Sequence, residues 1–132
     1  MPRHASVYAK MLGKKISENN TIVYLINTGW SGGPYGVGKR INIKYSRAMV
    51  TAALTGAFDI VKFRHDDLFN LDVPLECPNV PSDILDPKNT WIDKDSYDLS
   101  AKKLAQMFVE NFRKFNDTQD EIRKAGPKLI NS

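Results

Sequence analysis

Gly33-Pro34-Tyr35-Gly36-Val37-Gly38-Lys39-Arg40 reproduces the G-x-x-x-x-G-K spacing of a phosphate-binding loop. In such a loop the glycine backbone amides converge on an anion and the lysine ammonium faces it. The next position normally carries Ser or Thr, whose hydroxyl ligates magnesium. Here it is Arg40, which donates hydrogen bonds but cannot ligate a cation. A phosphate loop also runs straight into a helix, whereas Ile41, Ile43 and Tyr45 alternate with Asn42 and Lys44 and predict a short strand over 41–45. The spacing is therefore better read as a glycine loop that presents Lys39 and Arg40. The charge pattern points the same way. No acidic residue lies between Glu18 and Asp59, yet Lys39, Arg40, Lys44, Arg47 and six of the eight glycines fall in that gap, five of them at Gly29, Gly32, Gly33, Gly36 and Gly38. Such a stretch suits an anion site, and equally a flexible surface loop with solvated cations.

The other reactive residue types are sparse. His4 and His65 are the only histidines. His65-Asp66-Asp67 is compact, but adjacent residues rarely converge on one ion, so an exposed turn is expected there rather than a metal site. Cys77, the single cysteine, sits among acidic and proline residues without a neighbouring base and reads as inert. No Ser/His/Asp constellation is visible. Phe108, Phe112 and Phe115 recur at helical spacing and read as core. Trp30, inside the glycine loop, reads as an anchor for that loop more readily than as a ligand-stacking surface.

These residues sit in 132 positions, one domain's worth or part of a larger one. Hydrophobic residues make up 42% and charged residues 26%, so disorder is not expected. One cysteine excludes an internal disulfide and a Cys-rich zinc site. No apolar run reaches a membrane span, and Met1-Pro2-Arg3-His4-Ala5-Ser6 lacks the apolar stretch of a secretory signal. A cytoplasmic location is the expectation, and Ile130-Asn131-Ser132 is not a peroxisomal signal. The net charge of +4 hints only weakly at anionic partners.

The elements that must position the loop can be read in turn. Residues 6–18 form an amphipathic helix, with Tyr8, Met11, Leu12 and Ile16 on one face, broken at Asn19-Asn20. The β-branched and aromatic run at 21–27 predicts a buried strand, compatible with a parallel one covered on both faces. A loop spans 28–38. Ser46 is the expected N-cap of a helix whose small face, Ala48, Met49, Ala52 and Ala53, suits close packing on a sheet before Gly56 ends it. Residues 60–63 and 68–73 have strand character, and Pro74, Pro78, Pro81 and Pro87 mark an extended, turn-rich region. Helices follow at 98–115 and 118–125, the last ending at Gly126-Pro127. The fold class is α/β.

The same residues resemble a known family. Asn27-Thr28-Gly29-Trp30-Ser31-Gly32-Gly33 followed by Tyr35-Gly36-Val37-Gly38-Lys39-Arg40 resembles the NTGW…G.GKR signature of ATP-dependent phosphoenolpyruvate carboxykinases. Val7-Tyr8-Ala9-Lys10-Met11-Leu12 is similar to the helix before that signature, and Lys44-Tyr45-Ser46-Arg47 to its K-x-T-R element. Val80-Pro81-Ser82-Asp83-Ile84-Leu85-Asp86-Pro87 and Asn89-Thr90-Trp91 resemble its VP.EIL.P.NTW segment. Leu104-Ala105, Phe108, Asn111-Phe112 and Ala125-Gly126-Pro127 are similar to its last helices, so the likeness runs from about residue 4 to 129.

The resemblance implies the C-terminal portion of a mixed-sheet mononucleotide-binding domain, with residues 1–132 forming part of it. It implies an enzyme of gluconeogenesis that converts oxaloacetate and ATP to phosphoenolpyruvate, ADP and carbon dioxide in the cytosol, using magnesium and a second divalent ion such as manganese. It places nucleotide contacts on Arg40, Ile41 and Ser46. Ser46 keeps the hydroxyl but lacks the methyl of the family's usual Thr. The family's own P-loop, metal ligands and oxaloacetate-binding residues lie upstream and map onto none of these positions. The chain alone is therefore expected to be inactive, its partners being ATP or ADP and the rest of the carboxykinase, and Met1 reads as an internal methionine or a misplaced start. Losing its sheet neighbours, segment 21–27 should leave the chain marginally stable. Two alternatives stand beside this reading: a non-catalytic nucleotide-binding or interaction module derived from the same family, and a small nucleic-acid-binding domain, for which basic residues interleaved with aromatics are few.

Overall fold

The computed structural model describes residues 3–129, so Met1 and the Ile130-Asn131-Ser132 terminus lie outside the described residues. The architecture mixes helices with short strands. Helix α1 spans Ala5–Glu18 and carries an i,i+4 pair, Lys14 to Glu18, at 3.6 Å on its exposed side. On its apolar face Tyr8, Met11 and Leu12 are exposed.

The run at 21–27 forms no strand. A strand needs a neighbour to take its backbone hydrogen bonds, and none of the described residues supplies one. Tyr24 packs on the core, its ring centroid 5.3 Å from that of Phe58, while Ile22, Val23 and Leu25 face outward. A groove of about 930 Å3 lies between this segment and the strand at Leu71–Pro74.

The glycine loop closes a two-residue antiparallel ribbon. Strand β1, Trp30–Ser31, pairs with β2, Lys39–Arg40, with Trp30 opposite Arg40 and Ser31 opposite Lys39. Gly32, Gly33 and Gly36 have positive φ, which turns the chain back on itself. At Gly38 a Cβ would stand 2.3 Å from the Gly33 carbonyl oxygen, so only glycine fits that close approach.

Helix α2 spans Ile43–Thr55. The strand expected at 41–45 is absent, and the cap is Asn42 rather than Ser46. The Asn42 side chain accepts the Lys44 N–H at 2.9 Å, which satisfies an amide at the helix start and outweighs the alternating pattern. Gly56 ends the helix in the left-handed conformation, its N–H donating to the Ala52 carbonyl. A 3₁₀ turn at Ala57–Ile60 follows. The small face of α2 packs into the core rather than onto a sheet: Ala52, Phe58, Cys77 and Val80 are buried together, with Ala48, Met49 and Ala53 packed against them.

Strands β3, Phe63–Asp66, and β4, Leu71–Pro74, form an antiparallel hairpin a few residues beyond the expected 60–63 and 68–73. Asn70 turns it with φ of 55°, and Asp66 accepts the Phe69 N–H. All strand pairings among the described residues are antiparallel, and the strand expected at 21–27, in parallel pairing or otherwise, is not found. The proline-rich region holds two four-residue helices, α3 at Ser82–Leu85 and α4 at Pro87–Thr90. Pro87 opens α4 behind Asp86, whose carboxylate accepts the Lys88 N–H at 3.1 Å.

Helix α5 spans Lys94–Phe112, starting four residues before the expected 98, where Asp93 caps it by accepting the Asp95 N–H. The Ser96 hydroxyl on the Asp93 carboxylate holds that carboxyl below its usual range. Only Ala101 and Ala105 of α5 are buried. The phenylalanines expected in the core are not: Phe108 is 53% exposed, and Phe112 and Phe115 are half-buried against each other. Periodicity marks an apolar face, but here α5 makes its main contact with α4, and nothing among the described residues covers the Phe108 side. Helix α6, Asp120–Lys124, stops before Gly126-Pro127, and the tail is tied to the hairpin turn by Lys128 N–H on the Leu68 carbonyl at 2.8 Å.

Candidate functional site

A cleft of about 380 Å3 opens where three segments meet. The ribbon contributes Ser31, Gly32, Lys39 and Arg40. The start of α2 contributes Ile41, Asn42 and Tyr45. The α3–α4 region contributes Ile84, Thr90 and Ile92. Each segment is held by local chemistry. The Asn27 side chain accepts the Gly29 N–H at 2.9 Å and donates to the Trp30 carbonyl at 3.1 Å, which fixes the entry to β1. The Ile41 N–H donates to the Gly29 carbonyl at 2.8 Å, which fixes the exit from β2. The Lys94 ammonium donates to the carbonyls of Lys88, Asn89 and Trp91 at 2.8–3.0 Å and so caps the C-terminal end of α4.

The electrostatics of the cleft are one-sided. Lys39 and Arg40 are exposed, and no carboxylate lines the wall. Among the described residues neither cation, nor Lys44 nor Arg47, takes part in an ion pair. The arrangement can attract an anion and offer Arg40 as a planar multiple donor, with Ile41 and Tyr45 giving apolar surface for a ring. The larger groove beside 22–27 is apolar and has no such cations.

Of the residues singled out in the sequence, Arg40 and Ile41 meet on this cleft together with Lys39. Ser46 does not line it. Ser46 is 8% exposed in the first turn of α2, one residue past Tyr45. Trp30 is half exposed and meets Tyr35 edge-on at 6.0 Å across the loop, a packing contact within the ribbon. Cys77 is buried, and burial pushes its thiol pKa up, away from the reactive thiolate. His65 lies in the hairpin rather than at the cleft, and its Nδ1 hydrogen-bonds Asp72 Oδ1 at 2.8 Å. That bond raises the His65 pKa.

Sequence reasoning missed Asn42, Tyr45, Ile84 and Ile92 as wall residues and gave Thr90 no role. For Asn42 a signal existed, since Asn is as good an N-cap as Ser. For the others the cleft depends on contacts between segments some fifty residues apart, which no local pattern reveals.

The residues do not fit a divalent metal. No group of three His, Cys, Asp or Glu side chains is arranged to hold an ion among the described residues, and the cleft wall is cationic. No described helix is long and apolar enough to cross a membrane.

Comparison with known proteins gives a consistent answer. The family model described as phosphoenolpyruvate carboxykinase matches residues 1–83. A phosphoenolpyruvate carboxykinase (ATP) from Caldanaerobacter subterraneus is 59% identical over 128 residues, covering 97% of this chain and 25% of the relative. The corresponding proteins of Fusobacterium nucleatum and Thermus thermophilus are 58% and 50% identical over 129 residues, each covering 97% of this chain and 25% and 24% of the relative. The chain thus spans about a quarter of the length of these curated relatives, their C-terminal quarter. The relatives extend the match past residue 83, through the cleft wall at Ile84, Thr90 and Ile92 and into α5. With most of its length matched by the family model, the chain belongs to the ATP-dependent phosphoenolpyruvate carboxykinase family.

Proposed function

We propose that this chain supplies part of the nucleotide-binding surface of an ATP-dependent phosphoenolpyruvate carboxykinase, which in gluconeogenesis turns oxaloacetate and ATP into phosphoenolpyruvate, ADP and carbon dioxide in the cytoplasm. The observation that carries this reading is the convergence of Arg40 and Ile41, with Lys39, on a cleft without carboxylates. Arg40 lays its guanidinium against the base or ribose, and Ile41 offers backbone groups and apolar surface. Ser46 adds a hydroxyl contact, which at 8% exposure only a ligand seated deep against the first turn of α2 would meet.

The domain in this reading is the C-terminal part of a mixed-sheet mononucleotide-binding fold, completed by chain outside these residues. Phosphoryl transfer needs positioned phosphates and metal ions to offset developing charge. The donor set among the described residues does not fit magnesium or manganese; in this reading those ions, the phosphate loop and the oxaloacetate site are supplied by the remainder of the enzyme. The 132 residues alone do not turn over oxaloacetate.

The test is a calorimetric titration of the native-length polypeptide with magnesium-ATP, alongside its Arg40→Ala variant. Clear binding that weakens at least about tenfold in the variant supports the reading, on the scale of one charge-assisted contact. Equal binding by both proteins removes Arg40 from the nucleotide site and sinks it.

A further inference from the structure

We propose that Thr90 is a positioning residue for the nucleotide cleft, acting through Ser31 on the ribbon that carries Lys39 and Arg40; this rests on the reading of the cleft given above. The Thr90 hydroxyl lies 2.6 Å from the Pro87 carbonyl oxygen and 2.8 Å from the Ser31 hydroxyl. A hydroxyl has one proton and two lone pairs. The carbonyl can only accept, so the Thr90 proton goes to Pro87. The proton in the second contact must then come from Ser31. The result is a directed chain, Ser31 O–H to Thr90 O–H to Pro87 C=O, in which each bond polarises the next. It joins positions 59 residues apart in sequence.

Three further features make this contact a register device rather than a chance surface bond. Ser31 sits directly opposite Lys39 in the ribbon, and its neighbour Trp30 opposite Arg40, so whatever fixes Ser31 fixes the cations. Gly32 has φ of 87° and approaches so closely that an added Cβ would stand 3.0 Å from the Thr90 carbonyl oxygen, so the backbone of the loop and the end of α4 are already in contact. Behind Thr90, the Lys94 ammonium grips the carbonyls on either side of it, at Asn89 and Trp91. The ribbon has only two residues per strand and cannot hold a fixed orientation by itself. Thr90 ties it to a helix end that is itself capped.

The experiment measures magnesium-ATP affinity of the native-length polypeptide by calorimetry, with thermal midpoints in parallel. Thr90→Val removes both bonds at nearly constant shape, and Thr90→Ser keeps both. Thr90→Val is expected to weaken ATP binding about fivefold, the scale of one net hydrogen bond. Thr90→Ser should restore it to within about twofold of the unsubstituted protein. The decisive arm is the Arg40→Ala background. If Thr90 acts through the cations, Thr90→Val should add little to the loss already caused by Arg40→Ala, although it still lowers the thermal midpoint. Fully additive losses in affinity overturn the proposal and leave Thr90 with a structural role, as does a Thr90→Val protein that binds ATP as the unsubstituted one does. Should Thr90→Val fail to fold, Ser31→Ala removes the donor from the other side and carries the same expectations. Absence of ATP binding in the unsubstituted protein overturns the cleft reading and this inference with it, an outcome distinct from binding that ignores Thr90.

Discussion

The ribbon at residues 29–41 and the apolar run at 21–27 are adjacent in sequence and opposite in character. The ribbon is polar and glycine-rich, yet it closes on itself. The Asn27 side chain fixes its entry, Gly38 allows its crossing, and Thr90 receives its far side. The apolar run has the stronger strand signal, yet it pairs with no strand among the described residues, and Leu25 is 82% exposed. Turns and caps are satisfied by atoms a few residues away. A strand depends on a neighbour that local sequence cannot provide. The difference teaches that the ribbon is built largely from local contacts, whereas a strand at 21–27 would need a neighbour from elsewhere.

The contrast can be strained at several points. The largest effect should come from Arg40→Ala, which leaves the ribbon intact but removes its planar donor. ATP affinity should fall by about 10- to 100-fold, the range of a charge-assisted contact, in a direct binding assay. Next is Gly38→Ala. Its Cβ would collide with the Gly33 carbonyl, and the misfit should cost about 1–3 kcal/mol in a denaturant titration while also lowering ATP affinity. Retained stability in this variant would show that the ribbon is looser than its contacts indicate.

Asn42→Ala should cost about 1 kcal/mol through loss of the α2 cap, read as a lower thermal midpoint, with Asn42→Asp restoring most of it. Leu25→Lys separates the two regions most cleanly. In the isolated 132-residue chain an exposed leucine should matter by less than about 0.5 kcal/mol. In the native-length polypeptide the same change should destabilise by several times more, if chain outside these residues covers the 21–27 segment as proposed. Equal small effects in both would mean that the run is a surface segment.

The smallest effect concerns the hairpin. The Asp72 hydrogen bond raises the His65 pKa above its ordinary value of 6.5, with further support from Asp67 and Asn70 and opposition from desolvation. A raised pKa means that the charged pair steadies the hairpin fully below the unfolded value and stops doing so as pH rises through the folded one. Amide protection across Phe63–Asp66 and Leu71–Pro74, corrected for the intrinsic pH dependence of exchange, should therefore fall modestly as pH rises from about 6 to about 8, and His65→Gln should flatten that trend.

Much of the helical framework could be read directly. Tyr8, Met11, Leu12 and Ile16 mark α1, and Gly56 marks the end of α2, because periodicity and left-handed caps are local. The glycine loop was legible for the same reason, whereas Arg40 and Ile41 were marked by the family resemblance and line the cleft. The start of α2 was not, because Asn42 and Ser46 are both good caps and the alternation of Ile41, Ile43 and Tyr45 mimics a strand. The small helices α3 and α4 hid in a proline-rich stretch, although Asp86-Pro87 is itself a cap followed by a favoured first residue. The phenylalanine face of α5 was legible as a face but not as an exposed one, since periodicity says where a side chain points and not what meets it. Thr90 stands out in the sequence only as part of a motif; its bond to Ser31 joins positions 59 residues apart and leaves no local trace.

The most direct test of the central claim is hydrogen exchange of the native-length polypeptide with and without magnesium-ATP. Protection concentrated at residues 29–46 and 84–92 is the result expected if these segments form the nucleotide cleft. Bound ATP that leaves both segments unprotected would contradict it.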